Sequence, residues 1–304
     1  MSFWPKSITL RAFPPGEPLG PCLTLARRAG FDAVEVILEP GLPYRLDSTD
    51  AEITALKALV VAHGLRISAV YSREQWRHPV TSSDTATAQR GREIIRRLTE
   101  CAGLLEAEAV LVIPGAVDNR LFAPRGEVVP YDLAYQRAQA ALATLGAELS
   151  ERGSQALLCI ENVWNKFLLS PLEMRRFVDE IGLPSVGVYF DVGNVLLYGF
   201  PDQWIQILGP RIKRVHLKDF RSAVGTIHGF TGLLQGDVDW PAVTAALRKV
   251  GYCSYITAEV LPHYRYHSER LILECAEAMD AILEESAAHS NDEKVTGENS
   301  NGAL

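Results

Sequence analysis

The sequence contains no C-x-x-C pair: its five cysteines, Cys22, Cys101, Cys159, Cys253 and Cys275, are odd in number and never closer than 22 residues. That spacing supports neither a zinc ribbon nor a disulfide framework, and it reads as a set of reduced intracellular thiols. No stretch reaches the ~18 continuous apolar residues that a membrane span requires, and Met1 to Ser7 carries no apolar signal core with a basic flank. A cytoplasmic protein without a membrane partner is expected. A basic excess is missing too, since 30 Lys+Arg against 37 Asp+Glu leave a net charge of −7. No positive field exists to gather phosphate backbones, so nucleic acid is not an expected partner. No Pro/Ser/Gly-rich linker divides the first 285 residues, which predicts one domain over 1–285. The final stretch 286–304, SAAHSNDEKVTGENSNGAL, is poor in large apolar side chains and is expected to be a disordered tail.

What the chain does contain is a repeated alternation. Eight short apolar, β-branched runs fall near Ile8–Ala12, Ala33–Ile37, Ile67–Tyr71, Ala109–Ile113, Ala156–Glu161, Gly187–Asp191, Lys213–Lys218 and Tyr255–Val260. Each is followed by a longer segment of helical periodicity. Several runs are almost continuously hydrophobic, as parallel strands buried on both faces must be. Thr49-Asp50-Ala51-Glu52 and Ser170-Pro171-Leu172-Glu173 fit helix-capping boxes, the second with Pro at the first helical position, and Gly64 and Gly182 follow helix ends. The number of βα units, together with the absence of a G-x-G-x-x-G after the first strand, predicts a single (β/α)8 TIM barrel and not a doubly wound sheet. The segment Pro114 to Tyr131, with Arg120 and Arg125, is a long βα loop expected to overhang the active-site end as a lid.

Active sites on such a barrel lie at the C-terminal ends of the strands. Four consecutive runs, the fifth to the eighth, end in hard-metal ligands: Glu161 in LLCIEN, Asp191 in VGVYFDVGN, His216 in KRVHLKD and Glu259 in YITAEV. Any one of them alone is more often structural, capping a helix or pairing with Arg. Four at successive strand ends converge on one arc of the rim, where three carboxylates repel one another unless a cation neutralises them. One imidazole and three carboxylates suit a single divalent ion, Mn²⁺ first, with Mg²⁺, Co²⁺ or Zn²⁺ also compatible, leaving open positions for a chelating substrate.

The segments IENVWNKFLLSPLE, YFDVGNVLLYG, RVHLKDF, LLQGDVDWPAV and GYCSYITAEV resemble the xylose-isomerase-like TIM-barrel superfamily of sugar isomerases and epimerases. The nearest flavour is the L-xylulose-5-phosphate and hexulose-6-phosphate 3-epimerase type. The likeness is dense from Ala156 to Leu261 and looser before it, as in GFDAVEV at Gly30–Val36. It implies a metal held by Glu161, Asp191, His216 and Glu259, and a ketose whose C3 proton is acidified by the cation. Glu161 and Glu259 would then act as acid and base on opposite faces through an enediolate. Two departures stand out. Asn194 occupies a position where many relatives carry a substrate-contacting His, and Leu168 follows Asn165-Lys166-Phe167 where free-ketose 3-epimerases commonly have Glu. The second departure favours a phosphorylated sugar or a substrate outside the classes considered.

For the substrate, the loop Lys218 to Asp237 offers Lys218, Arg221, His228 and Thr231 beside Gly225, Gly229 and Gly232, where backbone N–H groups can approach an anion. Arg221, five residues past His216, is the strongest single expectation for a contact to substrate oxygens. Trp164, Phe167 and Phe230 are set equally between a sugar wall and core packing. Asn194 is expected at substrate hydroxyls; Glu35 at the second strand end is read as a substrate or supporting acid, and Arg11 and Arg73 as cations facing the same mouth. The alternative activity is a metal-dependent dehydratase of a keto-inositol or dehydroshikimate-like compound, with His263 or Lys218 as the acid at the leaving hydroxyl. A DNA-repair nuclease of the endonuclease IV type shares the barrel but needs further histidines, including one at the Asn194 position and a D-x-H element, and this chain lacks both. A non-catalytic sugar-binding protein would leave the complete ligand set unexplained. A homo-oligomer is expected by analogy with similar barrels.

Overall fold

The protein is described here by a computed structural model that covers residues 4–123 and 125–297. The apolar runs form parallel strands: β1 (Lys6–Thr9), β2 (Ala33–Ile37), β3 (Arg66–Tyr71), β4 (Ala109–Val112), β5 (Leu157–Glu161), β6 (Val186–Asp191) and β7 (Ile212–Leu217). After β7 the chain makes a small antiparallel excursion, β8 (Asp219–Phe220) and β9 (Phe230–Thr231), before the last barrel strand, β10 (Ile256–Ala258). The barrel closes in the order β1-β10-β7-β6-β5-β4-β3-β2. The expected eight-stranded TIM barrel is therefore observed.

The helices are α1 (Leu19–Arg28), α2 (Asp50–Ala62), the short α3 (Glu74–Arg77), α4 (Thr85–Leu105), α5 (Tyr131–Glu151), α6 (Pro171–Ile181), α7 (Pro201–Leu208), α8 (Trp240–Lys249) and α9 (Glu269–Gly297). Their starts follow from the sequence. Thr49 accepts from Glu52 N while Glu52 Oε2 accepts from Thr49 N at 2.7 Å, a complete capping box. Ser170 caps α6 through Glu173 N, but the Glu173 carboxylate reaches one residue further back, to Leu169 N at 3.0 Å. Gly182 ends that helix at φ 66°, a left-handed conformation glycine adopts without a Cβ penalty. In α9, Leu271, Ile272, Cys275, Ala276, Met279, Ile282 and Leu283 are buried at helical spacing, which seats the last helix on the barrel.

Two apolar clusters result. The larger lies between strands and helices. The smaller, which includes Ile37, Ala69, Tyr71, Leu111, Cys159 and Tyr189, fills the barrel interior from alternate strand positions.

Sequence expectation and structure part in two places. The first apolar run extends through Ala12, but β1 stops at Thr9, whose hydroxyl accepts from Arg11 N at 3.3 Å and turns Leu10–Ala12 into a 3₁₀ turn ahead of two prolines. Of the expected tail, residues 298–304 lie outside the described residues. The loop before α5 is tied down: Val117 N and Asp118 N both donate to Asn165 O, and Asp118 pairs with Val128 in an isolated bridge. All five cysteines are free thiols. No helix among the described residues is long and apolar enough to cross a membrane.

Candidate metal centre and substrate cavity

Glu161 is the last residue of β5 and Asp191 the last of β6; His216 lies one residue before the end of β7, and Glu259 follows β10 directly. Because side chains alternate along a strand, each sits two residues beyond an inward-facing position of the barrel interior (Cys159, Tyr189, Arg214 and Thr257) and so points into the mouth. One donor atom from each of the four residues comes within 4.8 Å of all the others. Glu161 is 7% exposed, Asp191 0%, His216 2% and Glu259 5%, so three carboxylates share a space with almost no water to separate their charges.

The orientations are fixed from behind. Asn162 joins two of the strand ends: its Nδ2 donates to Asp191 O at 2.7 Å, and its Oδ1 accepts from Asp191 N at 2.8 Å. Asp191 Oδ1 accepts from Asn194 N at 2.8 Å, which leaves Oδ2 facing the cluster with no hydrogen-bond partner. Gly193 is required here, because a Cβ would stand 2.7 Å from the Lys218 carbonyl oxygen. The Nδ1 of His216 also lacks a hydrogen-bond partner, 3.5 Å from Glu161 Oε1, 3.6 Å from Glu259 Oε2 and 4.0 Å from Asp191 Oδ2. Two orphaned buried donor atoms on one small space are what a cation between them would satisfy. The donor set, one imidazole and three carboxylates, fits a hard or borderline divalent ion.

Two protein cations border the cluster. Lys218 Nζ contacts Glu259 Oε2 at 2.6 Å and lies 3.4 Å from Asp191 Oδ2, poorly aligned for a hydrogen bond, while Arg11 Nη1 contacts Glu259 Oε1 at 2.7 Å. The acidities follow. Burial pushes the Glu161 carboxyl up to about 7, with His216 opposing and the neighbouring carboxylates adding to the rise. Burial likewise raises Asp191, against the pull of Lys218. At Glu259 burial acts upward as well, but Lys218 and Arg11 outweigh it and hold the carboxyl well below its usual range. Burial alone would lower His216, yet Glu35 and Glu161 carry it well above the ordinary imidazole value.

Above the cluster opens a cavity of about 490 Å³. Trp164 and Phe230, with ring centroids 5.1 Å apart, form one wall, and Trp76 and Phe122, at 4.3 Å, form another. Lys218, Asn194, His228, Arg11 and Arg73 line it as expected. The Asn194 amide is already committed, donating to Asn162 O at 2.9 Å. Arg73 is held by Glu39 through three hydrogen bonds.

Four of the residues considered above lie outside the cavity lining. Arg221 donates from Nε to Gln235 O at 3.0 Å on the outer side of the β8–β9 excursion and does not line the cavity. That excursion is organised by buried Asp219, which accepts from Phe220 N, Gly236 N and Val238 N, and a Cβ on Gly236 would collide with its Oδ1 at 2.1 Å. Phe167 is 1% exposed and packs edge-on against Tyr131, Tyr135 and Phe177, so it belongs to the core and not to the sugar wall. Glu35 is 0% exposed and is not among the lining residues; both its oxygens stand 3.2 Å from His216 Nε2, the placement of a supporting acid. His263 donates from Nε2 to Arg11 O at 2.8 Å and is absent from the cavity lining.

The sequence reading missed Tyr71, Trp76, Glu39 and Phe122 among the lining residues. A signal existed for two of them: Glu39 continues the inward alternation Glu35, Ile37, and Tyr71 ends the apolar run of β3. Nothing local marks Trp76 or Phe122, which reach the cavity by the paths of their loops.

A family model described as the xylose isomerase-like TIM barrel matches residues 23–282 of the chain. Among curated proteins, a putative L-ribulose-5-phosphate 3-epimerase, SgbU of Escherichia coli (strain K12), is 27% identical over 242 residues, covering 76% of this chain and 79% of its own. The L-ribulose-5-phosphate 3-epimerase UlaE of Salmonella paratyphi C (strain RKS4594) is 25% identical over 288 residues, covering 91% and 93%. Among solved structures, an L-ribulose 3-epimerase superposes with a TM-score of 0.76 at 19% identity, covering 98% of this chain and 99% of that one, a likeness of fold.

Proposed function

The chain belongs to the xylose isomerase-like TIM-barrel family, and from that premise we propose that it is an epimerase or isomerase of a ketose or ketose phosphate that inverts C3 by proton transfer and depends on a divalent cation. The observation that carries this reading is the buried cluster of Glu161, Asp191, His216 and Glu259, with partnerless donor atoms on Asp191 and His216. The curated relatives named as L-ribulose-5-phosphate 3-epimerases support the same reaction class.

Glu161, Asp191, His216 and Glu259 would hold the cation, Mn²⁺ being the first choice among ions that accept this donor set. When bound, it supplies Lewis-acid polarisation of a substrate carbonyl and adjacent hydroxyl, which acidifies the C–H between them. The protein does the rest. Glu161 and Glu259 stand on the outermost of four adjacent strands, β5 and β10, and so approach a substrate carbon from two sides. One glutamate, as the carboxylate, takes the C3 proton, and the other, as the carboxylic acid, delivers its own proton to the opposite face, so the centre inverts. Arg11 and Lys218 keep Glu259 ionised and in place between turnovers. Trp164 and Phe230 pack the carbon face and keep water from the planar intermediate. Arg73, Arg77 and His228, exposed at the rim, are the side chains placed to meet the far end of a phosphorylated ketose, Arg73 while held by Glu39 and Arg77 while paired with Glu74. Of the two candidate acids for dehydration, His263 is tied to the Arg11 backbone and Lys218 is engaged with Glu259, which favours epimerisation over loss of water.

The test is interconversion of C3 epimers across a panel of ketopentoses, ketohexoses and their phosphates, using chelator-stripped protein and then Mn²⁺-restored protein. Turnover that disappears on stripping and returns with the metal is the expected result. Equal rates in the stripped and restored protein would contradict the metal-dependent reading.

A further inference from the structure

The barrel ladder is interrupted by two register shifts, and each falls beside a residue that touches the rear of His216. Between β2 and β3 the shift lies at Val34/Glu35, where Ser68 is the extra residue on β3; between β6 and β7 it lies at Val188/Tyr189, where Lys213 is the extra residue on β7. A bulge bends its strand and re-aims neighbouring side chains. The consequence here is specific. Both Glu35 oxygens stand 3.2 Å from His216 Nε2, and Tyr189 OH donates to Glu35 Oε2 at 2.5 Å. The Tyr189 ring lies against the imidazole with centroids 4.3 Å apart, and its hydroxyl is 3.3 Å from Thr257 Oγ1, on the residue paired with His216 across the β10–β7 ladder. Glu35 and Tyr189 are both 0% exposed, so this contact set is closed to water.

The two imidazole nitrogens are thereby distinguished. Nε2 faces a carboxylate and Nδ1 faces the cluster without a partner. An imidazole that donates Nε2–H to a carboxylate presents Nδ1 as a lone pair, and the carboxylate raises the basicity of that lone pair.

We infer that Glu35 and Tyr189 are positioning residues that fix His216 in the Nε2–H form and direct Nδ1 at the cation. The inference rests on the metal-dependent reading above. Neither residue touches substrate; both act through His216. Tyr189 in turn holds the Glu35 carboxylate, leaving it a single orientation toward Nε2.

The experiment compares wild type, Glu35→Gln and Tyr189→Phe. Zn²⁺ affinity is measured by calorimetry, and ¹⁵N-labelled imidazole resonances are recorded on the Zn²⁺-loaded proteins. In wild type the His216 pattern should show a metal-bound Nδ1 and a protonated Nε2, with a strongly deshielded Nε2–H. Glu35→Gln, an isosteric change, should weaken Zn²⁺ binding by about 10- to 100-fold and move the Nε2–H resonance upfield, because a neutral acceptor replaces the carboxylate. Tyr189→Phe should shift the same resonance, with a smaller loss of affinity. A merely packing role for Glu35 would leave that resonance where it was. Loaded wild type with a protonated Nδ1, or both variants binding Zn²⁺ as tightly as wild type, overturns this inference alone. Wild type that binds no divalent ion overturns the functional reading and this inference together.

Discussion

Glu259 is gripped by Arg11 and Lys218, while Glu161 faces His216 Nδ1 at 3.5 Å, although both carboxylates are buried at barrel-strand ends. That difference is local chemistry, since Arg11 from the β1 turn and Lys218 from β7 both reach the β10 side of the mouth. Glu259→Gln retains the size of the side chain and removes its charge. The variant should keep the circular dichroism of the folded barrel while turnover falls by at least about 100-fold, the usual scale of a lost acid–base group; near-normal turnover would remove Glu259 from the mechanism. The four cluster residues were legible in the sequence because each terminates an apolar run, the one place where a barrel turns a strand residue toward its active site. Glu35, expected at a strand end, is the middle residue of β2, and its contact with His216 spans 181 positions of sequence and two bulges that no local pattern announces. Arg221 misled for the opposite reason: its distance from His216 along the chain is short, and the β8–β9 turn carries it outward.

At the scale of elements, the segment Asn165–Leu168 does more than connect β5 to α6. Asn165 accepts Val117 N and Asp118 N on its carbonyl and donates from Nδ2 to Gly115 O at 2.8 Å, locking the β4–α5 loop to the next loop of the rim. Phe167 plugs the space beneath it. Phe167→Ala should therefore destabilise the protein by about 3–5 kcal/mol in denaturant unfolding while leaving substrate KM in the folded protein unchanged; a raised KM with unaltered stability would return Phe167 to the sugar wall. The same loop has an electrostatic pin. Arg120 above all, with Lys166, holds the Asp118 carboxyl well below the usual carboxylate range. A carboxylate whose acidity is strengthened by folding contributes stability that is fully present above its unfolded value of about 3.9 and is lost as pH falls toward the folded value. In thermal melts, wild type should exceed Asp118→Asn at neutral pH, and the gap should close below about pH 4. A gap independent of pH would show that the charge plays no part. The helix starts and strand identities were readable from capping residues and apolar runs; the anchoring of this loop was not, because it depends on backbone groups that every residue has.

Over the whole molecule the net charge is −7, and among the described residues the buried cluster of three carboxylates and an imidazole faces a 490 Å³ cavity walled by aromatic rings. The barrel makes that arrangement possible by separating stability from chemistry. Its interior and its strand–helix layers are apolar, and the charged residues sit on the C-terminal rim, where they cost the core little. The central claim is proton exchange at one carbon of a ketose under metal control. It is tested most directly by proton NMR of ketose and ketose phosphate panels in D₂O with Mn²⁺-loaded and metal-stripped protein, the metal being chelated before acquisition. Deuterium entering at C3 of one substrate class, only with metal present, is the expected result. Stoichiometric metal binding with no deuterium entering any sugar, or exchange confined to C1 or C2, would contradict it, the latter pointing to aldose–ketose isomerisation in place of C3 inversion.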